Sequence, residues 1–188
     1  MSILLALVVS VSSFAALTNP KEVVQDIFTR ASTPEIAKDA AQQTAVNDLV
    51  DFDALASSAL GKQGKAVPAK ERQWFRDTLK EIITRTVYPK APDFLKDVKI
   101  TYDAVQEKGA KATVNSQVQN KADLTDVQYQ MEKAKDGSWR VVDISISGLS
   151  WVESIQDQVR DVLKKKQWKG LKEAMNKKLN ELKAGQAI

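Results

Sequence analysis

The spacing of apolar residues changes twice along this 188-residue chain, and this change most restricts its fold. Before Val98, apolar side chains recur every three or four positions, which is typical of helices that pack on one face. From Val98 to Ile146 they recur every second position, which is typical of strands. The helical spacing returns at Leu149. Helices before and after a run of strands indicate an α+β fold rather than alternating α/β units.

Four strands are predicted between Val98 and Ile146, and short polar turns join them. Glu107–Ala110 and Asp136–Gly137 are glycine-containing hairpin signals, and a polar loop that contains Lys121 separates the two middle strands. Strands joined by short turns run antiparallel. We therefore expect a four-stranded antiparallel meander sheet, packed against several helices, whose first three strands have one apolar and one polar face.

The last predicted strand, Trp139–Ile146, is apolar on both sides. Its apolar residues form two sets on opposite sides: Trp139 and Val141 in one, and Val142, Ile144 and Ile146 in the other. A strand of this kind is usually covered on both faces. We expect Ser147–Gly148 to end the strand, and the helix that follows to pack back over it.

Proline, aspartate and glycine mark the predicted helix ends. Asn19–Pro20 and Thr33–Pro34 combine a capping residue with proline at the first helical position, and Gly61 can stop a short helix. We expect helices at residues 20–31, 34–49, 52–60, 68–87, 151–163 and 168–182.

The first 17 residues resemble a secretory signal peptide. Residues 3–17 are mostly apolar, and Ser13-Phe14-Ala15 fits the small-x-small cleavage rule. The apolar segment is short for a transmembrane helix. However, no Lys or Arg precedes it, and a buried core helix is the alternative. We expect residues 1–17 to be a signal peptide and residues 18–188 to form one exported domain.

The chain lacks two residue types that much enzyme chemistry requires, because it contains neither histidine nor cysteine. This excludes histidine-based triads, histidine-ligated zinc, thiolate catalysis and disulfides. The pair Asp51 and Asp53 is more typical of helix capping, and Asp143 of a structural hydrogen bond, than of catalysis. We expect no enzyme activity, no metal and no cofactor.

Positive charge is concentrated near the C-terminus. Residues 164–183 contain eight lysines and two glutamates, whereas the whole chain has a net charge of only +4. Because exposed aromatics are not interleaved with these lysines, the pattern does not favour nucleic-acid binding. A solvated helix face is the ordinary interpretation, and contact with anionic lipid or an acidic protein is the alternative.

Three stretches occur in an order that resembles a known family. They are Phe52–Gly61, Glu71–Phe75 and Gly137–Ser150, of which the last, with its Trp-Arg-Val-x-Asp strand, is the most specific. Together they resemble the MlaC family, also called the toluene-tolerance family, of periplasmic phospholipid-binding proteins. The resemblance extends over roughly residues 20–180.

This resemblance implies a monomeric carrier that takes phospholipid across the periplasm of a Gram-negative cell. The implied partners are an outer-membrane lipoprotein complex and an inner-membrane ABC transporter, and the implied role is maintenance of outer-membrane lipid asymmetry. The acyl chains would lie in an apolar cavity between sheet and helices. Each buried methylene contributes about 0.8 kcal/mol, so such a carrier needs no catalytic group.

Fifteen residues are predicted to line this lipid cavity. They are Leu55, Phe75, Leu79, Ile82, Ile83, Val114, Val118, Val127, Tyr129, Val142, Ile144, Ile146, Trp151, Ile155 and Val159. Each one, taken singly, also fits an ordinary packed core. Three alternatives remain open: a carrier of another lipid such as a hopanoid, a ligand-free interaction module that docks by its basic helix, and an enzyme with converging acids.

Overall fold

The computed structural model describes residues 18–185, so the predicted signal peptide lies outside the described residues. The helices are α1 (Pro20–Ala31), α2 (Ala40–Asn47), α3 (Phe52–Leu60), α4 (Ala69–Val87), α5 (Ala91–Leu95) and α6 (Trp151–Lys183). The strands are β1 (Lys99–Tyr102), β2 (Gln106–Lys108), β3 (Lys111–Asn120), β4 (Asp123–Lys133), β5 (Trp139–Ile146) and β6 (Leu149–Ser150). Short 3₁₀ turns occupy Pro34–Ala37 and Gly61–Ala66.

Local capping sets the helix starts, and most of the predicted starts are confirmed. The Asn19 side chain accepts a hydrogen bond from the Lys21 N–H at 2.9 Å, and Pro20 is the first residue of α1. The predicted single helix over residues 34–49 is wrong. Asp39 accepts hydrogen bonds from the N–H groups of Ala41 and Gln42, and this cap starts α2 separately from the preceding 3₁₀ turn.

The sheet is antiparallel, as predicted, but it has six strands rather than four. Its order is β1-β3-β4-β5-β6, and β2 also pairs with β3. β1 pairs with the second half of β3 and β2 with the first half, so two short strands lie along one edge. The predicted turn at Glu107–Ala110 is too long, because its first two residues belong to β2. At the other edge, Ser147 and Gly148 both have positive φ, and this turn allows β6 to pair back on β5.

A β-bulge in β5 changes which of its side chains share a face. Gln130 pairs with Asp143 and the next residue, Met131, pairs with Val141, so Val142 is the extra residue. One extra residue reverses the alternation beyond it. The prediction of two separate apolar faces is therefore wrong: Trp139, Val141, Ile144 and Ile146 all lie on the same side as Tyr129 and Met131.

Helix α1 covers the apolar face of the sheet. Val23 and Val24 are fully buried against it, and the Phe28 ring meets the Tyr129 ring edge-on, with centroids 6.1 Å apart. On the opposite face polar side chains pair across the strands, as Gln128 does with Asn115 at 2.9 Å. Among the described residues, the predicted lipid cavity between sheet and helices is absent, because α1 fills this space.

A second core lies between α3, α4 and α6. Leu60 and Phe75 are almost completely buried within it. It joins the sheet at β5, where the Val141 carbonyl accepts from the Asp51 N–H and the Val141 N–H donates to Leu49, both at 2.9 Å. Helix α6 breaks at Gln167, whose backbone is non-helical. We call residues 151–166 its first segment and residues 168–183 its second segment.

Candidate functional site

An apolar groove runs between α4 and the two segments of α6. Its volume is about 430 Å³, and it is open to solvent rather than enclosed. The lining residues are Phe75, Leu79, Ile82, Ile83, Thr86, Val87, Trp151, Ile155, Gln158, Val159, Val162, Leu171, Ala174, Met175 and Lys178. Trp151 is 37% exposed, so the apolar surface of the groove extends to solvent at this residue.

Helical spacing explains how each wall is formed. Residues three and four apart lie on one face of a helix, so Leu79, Ile82, Ile83 and Thr86 form a continuous stripe on α4. The first segment of α6 contributes residues 151–162 at the same spacing, and the second contributes residues 171–178. Because the chain turns at Gln167, a single helix supplies two of the three walls.

Two ionic contacts hold the second segment of α6 alongside α4. Near the start of α4, Glu71 accepts a hydrogen bond from the Trp168 indole at 2.8 Å and pairs with Lys172 at 3.1 Å. Near its end, Glu81 pairs with Lys183 at 3.2 Å and with Arg85 at 2.8 Å. These contacts occur in the same order along both helices, so α4 and the second segment run parallel.

These contacts also lower the pKa of both carboxyl groups. For Glu71, the hydrogen bond from Trp168 is the main cause, and the bond from Lys172 is the next. For Glu81, burial acts to raise the pKa, but the hydrogen bonds from Arg85 and Lys183 outweigh it. Both side chains are therefore carboxylates at neutral pH, the form that makes these contacts.

The first segment of α6 is attached to the sheet by Asp143. One carboxylate oxygen accepts from the Val152 N–H at 3.0 Å, and the other accepts from the Ser150 hydroxyl. Ser150 in turn caps the helix by accepting from the Glu153 N–H at 3.0 Å. The predicted structural hydrogen bond of Asp143 is confirmed, and it orients the wall that begins at Trp151.

Few polar groups face the groove. The Thr86 hydroxyl donates to the Ile82 carbonyl at 2.7 Å, so its hydrogen-bonding capacity is used within α4. Among the described lining residues only Lys178 is charged, and Gln158 is the only amide. In the described part of the chain no cluster of acidic residues could hold a metal ion. The groove is therefore suited to a mostly apolar molecule that has one polar or anionic end.

Seven of the fifteen residues predicted to contact lipid line this groove. They are Phe75, Leu79, Ile82, Ile83, Trp151, Ile155 and Val159. Leu55 is buried in the neighbouring helical core. Val114, Val118, Val127 and Tyr129 belong to the core under α1, Ile144 packs against that core, and Val142 and Ile146 lie outside the groove lining. The structure thus brings together seven of the eight predicted helix residues and separates them from the sheet residues.

Eight further lining residues were not predicted: Thr86, Val87, Gln158, Val162, Leu171, Ala174, Met175 and Lys178. The apolar stripe that contains Leu171 and Met175 is visible in the sequence, and it identifies buried residues. It does not show that this stripe faces the first segment of the same helix, because that depends on the backbone at Gln167.

Comparison with known proteins identifies a family and a similar solved structure. The family model of the MlaC protein matches residues 21–177. A solved structure of the phospholipid-binding protein from Ralstonia solanacearum, in complex with a phospholipid, superposes with a TM-score of 0.73 and 23% identity. The match covers 86% of this chain and 95% of that one, which shows a common fold. No curated protein matches the sequence.

Proposed function

Because this chain belongs to the MlaC family, we propose that it carries phospholipid between membranes and holds the acyl chains in the groove between α4 and α6. In this proposal residues 1–17 direct export to the periplasm. The carrier is a monomer that exchanges lipid with an outer-membrane lipoprotein complex and an inner-membrane ABC transporter, and so maintains outer-membrane lipid asymmetry. It catalyses no reaction.

The apolar lining of the groove is the observation that carries this proposal. Each methylene moved from water into such a lining contributes about 0.8 kcal/mol, so binding of an acyl chain needs no specific polar contact. The volume of about 430 Å³ lies within the range of roughly 300–1,000 Å³ that is typical of small-molecule sites. The phospholipid bound to the Ralstonia protein supports the same class of ligand.

The groove volume bears on how lipid enters. A two-chain phospholipid is larger than the ligands that sites of this volume usually enclose. We propose that α4 and the second segment of α6 separate when the lipid binds. The contacts between these two helices include partly exposed ion pairs at Glu71 and Glu81, and such pairs are individually weak. At the Glu71 end, the Trp168 ring also packs against Trp74 and Phe75.

None of the described helices is both long enough and apolar enough to cross a membrane. In the proposed mechanism the lipid moves with the carrier, and release follows when a partner favours the open state of the groove.

Lipid extraction tests the proposal. Protein purified without detergent and analysed by mass spectrometry is expected to release phospholipid. Ile83→Glu combined with Ile155→Glu places two carboxylates in the groove and is expected to remove nearly all of it, because burying an unpaired charge is costly. Leu124→Glu is the control, since Leu124 is exposed on β4.

Three results would contradict the proposal. The first is wild-type protein that releases no phospholipid and takes up none from vesicles. The second is a double variant that carries as much phospholipid as the Leu124→Glu control. Extracted molecules with the mass of another lipid class, such as a hopanoid, would replace phospholipid as the cargo but leave the groove as the site.

A further inference from the structure

The positive charge of this protein is concentrated in two short segments. Residues 164–172 contain five lysines and no acidic residue, and residues 61–72 contain three lysines, one arginine and one glutamate. Their combined net charge is +8, whereas the whole chain has +4, so the rest of the chain is at −4. The proposed lipid groove does not explain this separation of charge, because Lys178 alone among its lining residues is charged.

The fold places these two segments at one end of the helical core. Glu71, near the start of α4, contacts Trp168 at 2.8 Å and Lys172 at 3.1 Å, both just beyond the break in α6. The turn Gly61–Ala66 leads directly into α4 at the same end. We define the basic elbow by its exposed lysines: Lys62, Lys65, Lys70, Lys164, Lys165, Lys166 and Lys169.

The elbow has a tightly defined backbone. Gln167 has φ 56° and ψ −169°, a combination that is essentially restricted to glycine. A Cβ at Gly170 would lie 2.2 Å from the Lys166 Cβ, so only glycine allows the two turns of helix to approach this closely. The sharp bend therefore presents its lysines outward on both sides of Gln167.

These lysines are available to a partner. Lys164, Lys165, Lys166 and Lys169 are exposed, and none of them forms a salt bridge within residues 18–185. The nearby indole of Trp168 is half-buried, and its N–H is bonded to Glu71. The elbow thus offers a group of exposed positive charges without an accompanying exposed aromatic anchor.

We propose that the basic elbow docks this protein on an anionic membrane surface. Lysines are depleted in protein–protein interfaces, where Arg and aromatic residues dominate, so this composition fits a protein partner poorly. Clusters of four to eight basic residues are typical of surfaces that bind anionic lipid. Val162 and Leu171, on either side of Gln167, line the groove, so docking brings that end of the groove to the bilayer.

Vesicle flotation tests this proposal. The full chain is expected to float with vesicles of phosphatidylcholine and phosphatidylglycerol at low salt, and to remain unbound with phosphatidylcholine alone. High salt is expected to abolish binding, since it shortens the Debye length from about 10 Å at 0.1 M to about 3 Å at 1 M.

A matched pair of variants locates the surface. Lys164→Gln, Lys165→Gln and Lys166→Gln together are expected to lower the partition coefficient on the order of 100-fold, at roughly fivefold per lysine. Lys38→Gln, Lys108→Gln and Lys135→Gln remove the same net charge from exposed positions outside the elbow. This control is expected to bind within a few-fold of wild type.

Equal binding to both kinds of vesicle, or equal loss in the two triple variants, would overturn the proposal. So would a salt-sensitive complex with an acidic protein such as polyglutamate together with no vesicle binding, because the elbow would then be a protein-docking surface. Membrane docking does not depend on the proposed cargo. Lipid extracted from the elbow variant is expected to match wild type, so failure of one proposal leaves the other testable.

Discussion

At the residue scale, the backbone of Gln167 has the greatest effect on the site. Its positive φ turns α6 back along α4, and this places Leu171 and Met175 opposite the first segment of the same helix. A non-glycine residue in this conformation costs on the order of 1–3 kcal/mol. This strained residue lies where the groove and the basic elbow meet.

Replacing Gln167 with glycine is expected to stabilise the protein. Relief of backbone strain exceeds the roughly 0.5–1 kcal/mol entropic cost of glycine, so we expect the free energy of unfolding to rise by about 1 kcal/mol. Urea denaturation followed by tryptophan fluorescence measures this change. The same substitution at Asn176, on the exposed face of the second segment, is expected to destabilise. A destabilised Gln167→Gly protein would show that the side chain itself supports the bend.

The charge of Lys178 is a second feature at this scale. It is half-buried at a groove that is otherwise nearly apolar, and we expect it to lie beside the phosphate of a bound lipid. Lys178→Ala should therefore lower the amount of extracted phospholipid severalfold without changing the melting temperature. Lys177→Ala is the control, because Lys177 is exposed and outside the groove lining. Equal lipid content in the two variants would remove Lys178 from the proposed site.

At the scale of elements, the two segments of α6 are attached to different parts of the molecule. Asp143 of β5 accepts from the Val152 N–H and fixes the first segment on the sheet. Glu71 of α4 accepts from Trp168 and pairs with Lys172, which fixes the second segment beside α4. The groove lies between α4 and these two separately attached segments.

The Glu71 contact predicts a pH dependence of stability. Its pKa is lowered in the folded protein from an ordinary value of 4.5, chiefly by the bond from Trp168. Its contribution is therefore fully present above about pH 4.5 and is lost as the pH falls through the folded-state pKa. In Glu71→Gln, the free energy of unfolding should fall less steeply with acidification below about pH 5 than in wild type.

Urea titrations at several pH values provide the measurement. Glu107→Gln, at an exposed position on β2, is the control and should keep the wild-type acid slope. An unchanged acid slope in Glu71→Gln would mean that this ion pair does not hold α6 against α4 in solution.

At the scale of the whole molecule, the protein has two packed regions with different roles. The sheet and α1 form a filled core, whereas α3, α4 and α6 form a core with an open groove on one side. They meet at β5, where Val141 pairs with the segment before α3. We expect the first region to stay rigid while the second opens for lipid.

Lipid loading is therefore expected to stabilise the whole molecule. A ligand at 100 times its dissociation constant contributes about 2.7 kcal/mol. For a chain of this size, that raises the melting temperature by roughly 5–10 °C over delipidated protein. Differential scanning calorimetry of both forms measures the shift. The variant with Ile83→Glu and Ile155→Glu should show none, and a similar shift in it would place the lipid elsewhere.

Some features of this molecule were predictable because their causes are local. Helix α1 starts at Pro20, and Asn19 caps it by accepting a hydrogen bond from the backbone N–H two residues later. Asp51 caps α3 by accepting from the backbone N–H three residues later. The hairpin at Asp136–Gly137 also depends on residues that are close in sequence. Gly137 has the positive φ that such a turn requires. The second segment of α6 was also predicted to begin after Gln167.

The residues that line the groove were only partly predictable, because periodicity shows that a side chain is buried without showing what covers it. The stripe on α4 and the one that begins at Trp151 meet across the groove. The equally regular stripes at Val114 and Tyr129 are covered by α1 instead. The bulge at Val142 also has no signal in the sequence, and it moves Ile144 and Ile146 to the face opposite the one predicted.

The sequence by itself determined the order of helices and strands, the lack of histidine and cysteine chemistry, and the concentration of lysines after residue 163. Each of these follows from composition or from interactions between near neighbours in the chain. Tertiary structure alone decided that α1 closes the sheet, that α6 turns back at Gln167, and that the open apolar surface lies between helices. These outcomes depend on which distant apolar faces pack together, and that pairing is a property of the whole folded chain.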